Sequence, residues 1–406
     1  MLIVSSCDTP GIRLVDPDAV SDNSTGVTFR VTLEDSALAA ALGWEGGVPG
    51  AFISYYRIME GTPIQTAETD SAGSLQLPNL LSGRYRVAAY RLLSQEETGA
   101  TDGLIRAFGD GLIVHVQPPQ VVELILRADR RGSVVMSEVR GGGRYEGPNS
   151  LWPDYDYFGY LELYNNGDST VYLDGMLWSW GFPIDTEGTD PCNTWAPYRN
   201  DRHGIWVRYF HQFPGSGMEY QLAPGQTAVI AQDAVDHSIA HPSLPDLTNA
   251  LFELEGYADA DNPDVPNAPS VGPGGLLSHS HGLETTCSRG GCFLAQAANV
   301  NTLFTERLSL FDGSDWVRIP MESVLDVVTT GIWTPSSDQW PPCTTEENRS
   351  LDRLEEPQYE VFFDVSVSTQ RRILRMGPGG FPVLQDVGVS FSDFILAPRS
   401  PGWIEY

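Results

Sequence analysis

The sequence predicts an all-β protein made of two β-sandwich domains, and three observations carry that prediction. Apolar and polar residues alternate over short runs, as in Val27–Leu33, Ser133–Val139 and Tyr160–Tyr164. A period of two sends successive side chains to opposite faces of a half-buried strand. The runs are separated by turn chemistry, with 41 Gly and 29 Pro in 406 residues, the punctuation of antiparallel strands. Finally, 41% hydrophobic and 19% charged residues mark a globular chain, long enough for two ordinary domains or three small ones.

In chain order, residues 1–25 read as a lipobox and tether. Leu2-Ile-Val-Ser-Ser-Cys7 is similar to a bacterial lipobox, in which an apolar run and small residues precede a Cys that is lipid-modified after cleavage. Only six residues precede Cys7, fewer than the basic and apolar regions of a signal peptide occupy. Asp8 matches a residue that acts in some bacteria as an inner-membrane retention signal, so the choice of membrane stays open between that and the outer membrane or cell surface. No other run approaches the ~18 apolar residues that span a bilayer. The expected protein is exported and anchored to a membrane by lipid on Cys7.

Residues 26–131 form the first expected domain. Val27–Leu33 alternates cleanly, Val48–Tyr56 enters a strand from a turn, and Thr69–Leu77 is a turn followed by a strand. Asn79–Ala89 and Val121–Leu126 supply further strands, the last after Pro118-Pro119. The series Thr69-Asp70…Gly73…Leu75, then Asn79-Leu80…Gly83…Tyr85…Val87, resembles the transthyretin-like, carboxypeptidase-regulatory type of sandwich. Such modules act as spacers or adhesive units, and this one contains no catalytic set.

A charged break at Ala128–Gly132 separates this unit from a second domain, residues 132–406. Here Leu161 and Leu163 fall on one face of a strand and Tyr160, Glu162 and Tyr164 on the other. Asn165-Asn166-Gly167-Asp168 predicts a tight positive-φ hairpin that returns Val171 and Leu173 to the first face. The Ser137-Glu138-Val139 strand, the Leu161–Asn165 strand and the Val171…Leu173…Gly175 run resemble the opening of a lamin-tail domain, an immunoglobulin-like β-sandwich. Tyr220–Gln232, Ser368–Arg372, Asp386, Ser392–Phe394 and Ser400-Pro-Gly402 resemble its later strands. A closer resemblance is to an uncharacterised family of secreted bacterial lipoproteins, carried by Ala231–His237, Asp246-Leu247, Glu253 and Asp261–Asn267. Members of that family are often encoded beside TonB-dependent outer-membrane receptors. The resemblance therefore implies such a receptor, or another envelope protein, as partner.

Three long segments dense in Pro, Gly, Asp and Asn interrupt this domain: Gly181–Asn200, Ala258–Ser288 and Gly331–Glu356. Structureless segments of that length are usually functional or stapled, and ligand residues concentrate on loops. With Cys7 lipidated, Cys192, Cys287, Cys292 and Cys343 remain. An even set in an exported chain suggests two disulfides with three connectivities. A Cys287–Cys292 bridge around Gly290-Gly291 is sterically easy and would leave Cys192 with Cys343.

The balance of 24 basic and 53 acidic residues gives a net charge of −29. That field repels nucleic acid and anionic membrane surfaces. All the basic residues are Arg, which excludes Schiff-base and P-loop lysine chemistry. His279 and His281 share a face if extended, and His237 and His241 would share a helical face, with Asp233 and Asp236 nearby; either pair could join a metal site. Asp261 and Asp264 offer hard oxygens suited to Ca²⁺, without an EF-hand's spacing; no other cofactor is indicated. Trp178, Trp180, Trp195, Trp333 and Trp340 lie in or beside the long segments, where aromatic rings could stack on a ligand or pack the loops down. No Gly-x-Ser-x-Gly elbow, Walker loop or dinucleotide fingerprint occurs. The expected function is non-enzymatic binding at the cell envelope. The alternatives are a structural or adhesive envelope protein and, last, a metal-dependent hydrolase.

Overall fold

The computed structural model describes residues 26–57, 65–98, 105–108, 112–130, 133–140, 158–180, 204–207, 210–255, 262–272, 275–276, 292–297, 299–303, 307–309, 315–320, 323–328, 366–377, 379–386 and 393–404. Among these the chain is predominantly β, as the alternation predicts.

The first set of strands is β1 (Val27–Leu33), β2 (Phe52–Arg57), β3 (Gln65–Glu68), β4 (Ser74–Leu77), β5 (Gly83–Leu92), β6 (Ile105–Phe108), β7 (Leu112–Val116) and β8 (Gln120–Arg130). They form an eight-stranded sheet in the order β3-β2-β5-β6-β8-β1-β4, with β7 on β5. The long β5 and β8 each change neighbours along their length: β5 pairs β7 and then β6, while β8 pairs β1 and then β6. The sheet thereby folds over a core of Val27, Phe29 and Val31 against Ile53, Tyr55, Val87, Leu124 and Leu126. Phe29 and Tyr55 meet across it with ring centroids 6.1 Å apart. Each large apolar side chain removed from water contributes about 1.5–3 kcal/mol. Gly73, at φ 74°, lies so close to Val48 that a Cβ there would sit 2.5 Å from its backbone nitrogen.

Strand alternation and turn chemistry do not predict every element: β3, β6, β7 and the short helices carry no such signal. Helix α1 (Ser36–Leu42) starts at Asp35, whose carboxylate accepts from the Ala37 and Leu38 amides, and stops at Gly43 at φ 71°. The N-cap Asp and the C-terminal Gly are ordinary helix punctuation.

Strands from residue 134 onward pair only among themselves within the described residues. They are β9 (Val134–Arg140), β10 (Tyr160–Asn165), β11 (Val171–Tyr172), β12 (Leu177–Trp180), β13 (Gly204–Val207), β14 (Phe210–Gln212), β15 (Gln221–Leu222), β16 (Thr227–Ala231), β17 (Phe252–Leu254), β18 (Asn267–Ala268), β19 (Ser270–Gly272), β20 (Gly275–Leu276), β21 (Cys292–Ala295), β22 (Arg307–Ser309), β23 (Asp315–Pro320), β24 (Val324–Val328), β25 (Val367–Arg371), β26 (Ile373–Met376), β27 (Pro382–Leu384) and β28 (Phe394–Pro398). A seven-stranded sheet, β18-β17-β16-β10-β9-β25-β28, lies against a six-stranded one, β20-β19-β14-β12-β21-β24. Leu161, Leu163, Ile230 and Phe252 from the first sheet meet Trp178 and Leu294 from the second in one apolar layer. The opposite face of the six-stranded sheet is covered by β13-β23-β22, through Ile205, Val317 and Ile319 on Phe210 and Phe293.

The 165–168 hairpin does not form. β10 pairs with β9 and β16, whereas β11 leaves to pair with β15, and Gly167 is absent from the positive-φ glycines. The Asn165 side chain instead accepts from the Gly167 amide and donates to the Ser169 and Leu222 carbonyls, turning the chain away from its own strand. Nor is β10 half-buried: every residue from Tyr160 to Asn165 is hidden. The outward face of its sheet is covered by Ala234, Leu247, Ala250 and Val265 and by the β26–β27 hairpin. Asn166 docks that hairpin by bonding both the amide and the carbonyl of Leu384.

Candidate functional site

The expected structureless segment Ala258–Ser288 instead holds β18, β19 and β20. Strand register defines one end of the six-stranded sheet, where three segments outside the described residues attach. Trp180, the last residue of β12, pairs with Cys292, the first of β21, and Cys292 pairs with Val328, the last of β24. Segments 181–203, 277–291 and 329–365 are thus anchored on three adjacent strand ends. The last of these joins Val328 to β25 in the other sheet. Cys292 is disulfide-bonded, and no other cysteine falls among the described residues.

A buried arginine ties the two sheets together near the β24 edge. Arg371 on β25 grips both oxygens of Asp326 on β24, at 2.9 and 2.7 Å, and reaches Asp386 at 3.4 Å and Asp393 at 3.6 Å. It also donates to the Met136 and Gln385 carbonyls and stands 4.5 Å over the Phe394 ring. Asp326 in turn accepts from the Met136 amide at 2.7 Å. These contacts tie the charges to one another and to backbone within the fold, an arrangement of structural charge compensation.

The outward face of the seven-stranded sheet carries a second polar cluster. Val229, Glu162, Glu138, Gln370 and Ile395 form one cross-strand row over β16, β10, β9, β25 and β28. Both glutamates are buried, at 0% and 2% exposure for Glu162 and Glu138. Glu138 Oε1 accepts from the Tyr160 hydroxyl at 2.5 Å, the Ser368 hydroxyl at 2.5 Å and the Ser400 amide at 3.0 Å. Its Oε2 accepts from the Ser400 hydroxyl at 3.2 Å. Glu162 accepts from the Ser137 hydroxyl at 2.6 Å and from the Gly402 amide at 2.6 Å. Burial pushes the Glu162 carboxyl up to about 7; the Ser137 bond opposes the rise and the charge of Glu138 adds to it. Burial likewise raises the Tyr160 phenol well above its usual range, with Glu138 adding to the effect.

A third buried group sits between the sheets. His211 on β14 lies in a row with Trp178 and Ser270, its ring centroid 5.7 Å from that of Trp178. Its Nδ1 is 3.1 Å from the Ala268 carbonyl. A carbonyl only accepts, so Nδ1 carries the proton of the neutral ring. Burial lowers its pKa to about 4, against the Ala268 bond.

The sequence-predicted site residues divide sharply. Cys7, Cys192, Cys287, Cys343, His279, His281, Asp261, Trp195, Trp333 and Trp340 lie outside the described residues. Asp264 is exposed, and its amide donates to Asn262 Oδ1 at 3.1 Å in an Asx turn. Trp180 contributes the backbone pairing described above. Trp178 is no ligand platform: it is wholly buried between the sheets. His237 and His241 are not on a common α-helix. His237 is buried in a 3-10 turn with Nε2 3.0 Å from the Asp233 carbonyl, whereas His241 Nδ1 is 2.7 Å from the Ser243 hydroxyl. Among the described residues no group of three or more His, Cys, Asp or Glu could hold a metal ion.

The sequence does not mark the polar clusters around Glu138, Glu162 and Arg371 as sites, although most of their residues, Asp326 excepted, lie in the stretches that carry the lamin-tail resemblance. The available signal was a Glu at an outward position in each of two strands that the pattern makes neighbours. Strand alternation assigns such a Glu to solvent, and only the covering chain contradicts that.

No protein-family model matches the chain, and no curated protein matches it. Among solved structures it is similar to a DUF4876 family protein from Bacteroides thetaiotaomicron, with a TM-score of 0.48 and 15% identity over 91% of this chain and 94% of that one. At that level of identity and superposition, no residue's role passes from that protein to this one.

Proposed function

We propose that this chain is a non-enzymatic, lipid-anchored exported protein that binds a partner of the cell envelope through the segments rooted at Trp180, Cys292 and Val328. The observation that carries the reading is the register Trp180–Cys292–Val328. It gathers three long segments at one end of a rigid sheet, an arrangement suited to recognition because the scaffold fixes where the loops begin. The buried ionisable groups of the scaffold are tied to backbone and to one another, as structural groups are.

In this reading the second unit is lamin-tail-like, the first is transthyretin-like, Cys7 carries the lipid, and Cys287 is the partner of Cys292. An outer-membrane receptor is the envelope partner that the family resemblance implies.

The test is expression of the full chain in a diderm bacterium with an alkyne-palmitate label, followed by in-cell crosslinking and mass spectrometry. The reading predicts label on the wild type, none on Cys7→Ser, and crosslinks to an envelope protein from residues 181–203, 277–291 and 329–365. Equal label on both proteins would sink the anchor. Crosslinks only between copies of this chain would replace binding with the structural or adhesive reading. Stoichiometric zinc in the purified protein, lost on changing His279 and His281, would replace it with metal chemistry.

A further inference from the structure

The chain that follows β28 crosses the outward face of the seven-stranded sheet directly over the two buried glutamates. Arg399 begins it: its amide donates to the Ser366 carbonyl and its guanidinium to the Ser243 carbonyl. Ser400 bonds both oxygens of Glu138, and its hydroxyl also accepts from the Gln370 amide at 3.2 Å. Gly402 donates to Glu162 and lies over Val229, where an added Cβ would be 3.9 Å from the valine Cγ2. Trp403 is 64% exposed, and Ile404 packs against the cluster of Val135, Tyr164 and Leu384. Residues 399–404 are therefore a surface strap whose underside is hydrogen-bonded to two carboxyl groups that water does not reach.

We propose that this strap is latched while Glu162 is a neutral carboxylic acid and is released when Glu162 ionises. The neutral acid keeps every strap contact. With its proton on Oε1, Glu162 donates to the Ser137 hydroxyl at 2.6 Å, and that hydroxyl turns its own hydrogen to the Glu162 carbonyl at 3.2 Å. Oε2 continues to accept from Gly402. Burial penalises the ionised form more than the Gly402 and Trp403 amides of the strap favour it, and lifting the strap hydrates the charge that burial penalises.

Among the described residues, each element packed around Glu162 contributes named groups. Glu138 and Ser137 come from β9, Tyr160 from β10, Val229 from β16, and Ser368 and Gln370 from β25. Arg399, on the strap, interacts electrostatically with Glu138 and with the Tyr160 hydroxyl. Beyond it lies His237, on which Asp236, Asp246 and Arg399 act.

The pH window follows from the carboxyl's two environments. Latched, Glu162 titrates at about 7; hydrated, it returns to the ordinary 4.5. Opening then becomes about tenfold easier per pH unit between those values and levels off above the higher one.

Hydrogen–deuterium exchange of the full-length protein tests this, with intrinsic exchange rates corrected for pH. Peptides spanning Arg399–Ile404 should lose protection by roughly tenfold per unit from about pH 5 to about pH 7, then hold level. Peptides of β10 should stay far better protected than the strap at every pH, which separates local opening from global unfolding. Glu162→Gln should be protected at every pH. Ser137→Ala removes the bond that favours the ionised form and should move the levelling point to higher pH. Constant protection of the wild-type strap across this range, or the wild-type slope in Glu162→Gln, would overturn the proposal.

Discussion

Glu162 and His211 are both fully buried, and burial displaces both in the direction that favours the neutral form, yet they bear on stability with opposite sign. Glu162 titrates at about 7 in the fold against an ordinary 4.5. Its contribution is complete below 4.5 and is lost as pH rises to 7. His211 titrates at about 4 against an ordinary 6.5. Its contribution is present above 6.5 and is lost as pH falls through 4. At about 1.4 kcal/mol per unit, each window spans roughly 3 kcal/mol. Between 4.5 and 6.5 the two slopes oppose one another.

The difference in what covers them decides what each can do. Glu162 lies under a strap held by hydrogen bonds at the surface, so a local opening can hydrate it. His211 lies between two packed sheets beside Trp178, and water reaches it only if the sheets separate. One group can work as a latch, while the other reports the integrity of the whole unit.

The largest effect available is the loss of Arg371, which supplies the positive charge between Asp326, Asp386 and Asp393. Arg371→Met leaves these carboxylates buried without it and should cost about 3–5 kcal/mol, read as a lower urea midpoint at every pH. Next comes Glu162→Gln, which should stabilise the protein by up to roughly 3 kcal/mol near pH 8 and by nothing below about pH 4.5. His211→Gln should be about 1 kcal/mol less stable near neutrality through a poorer bond to Ala268, yet overtake the wild type as pH falls towards 4. The smallest change is a control far from either group. Asp35→Ala removes the helix cap and should cost about 1 kcal/mol with no dependence on pH through Glu162 or His211.

Much of this architecture was legible in the alternation of Val27–Leu33, Ser133–Val139 and Tyr160–Tyr164, because a strand's period is written in successive residues. The destination of the chain after Asn165 was not. Asn-Asn-Gly-Asp satisfies hairpin chemistry locally, and the competing bonds from the Asn165 side chain to Leu222 are contributed by residues far away in sequence. The covering of β10 was hidden for the same reason: the strap that buries Glu162 begins more than two hundred residues later. Yet Arg371, Asp386, Asp393, Ser400 and Gly402 all lie in the stretches that suggested the lamin-tail resemblance, and the structure brings them to the two buried polar clusters. Those stretches marked the internal fastenings of the fold rather than a reaction centre. The α1 signal, by contrast, is local and complete in Asp35 through Gly43, with a helix cap at each end.

The most direct test of the opposed pair is the unfolding free energy from urea denaturation, measured from about pH 4 to about pH 8 for the wild type, Glu162→Gln and His211→Gln. Subtracting the wild-type curve removes the shared effect of the protein's net charge of −29. The Glu162→Gln difference should rise from near zero to its full value by about pH 7, and the His211→Gln difference should rise in the opposite direction, below about pH 6.5. Two flat difference curves, or two that slope the same way, would contradict the account.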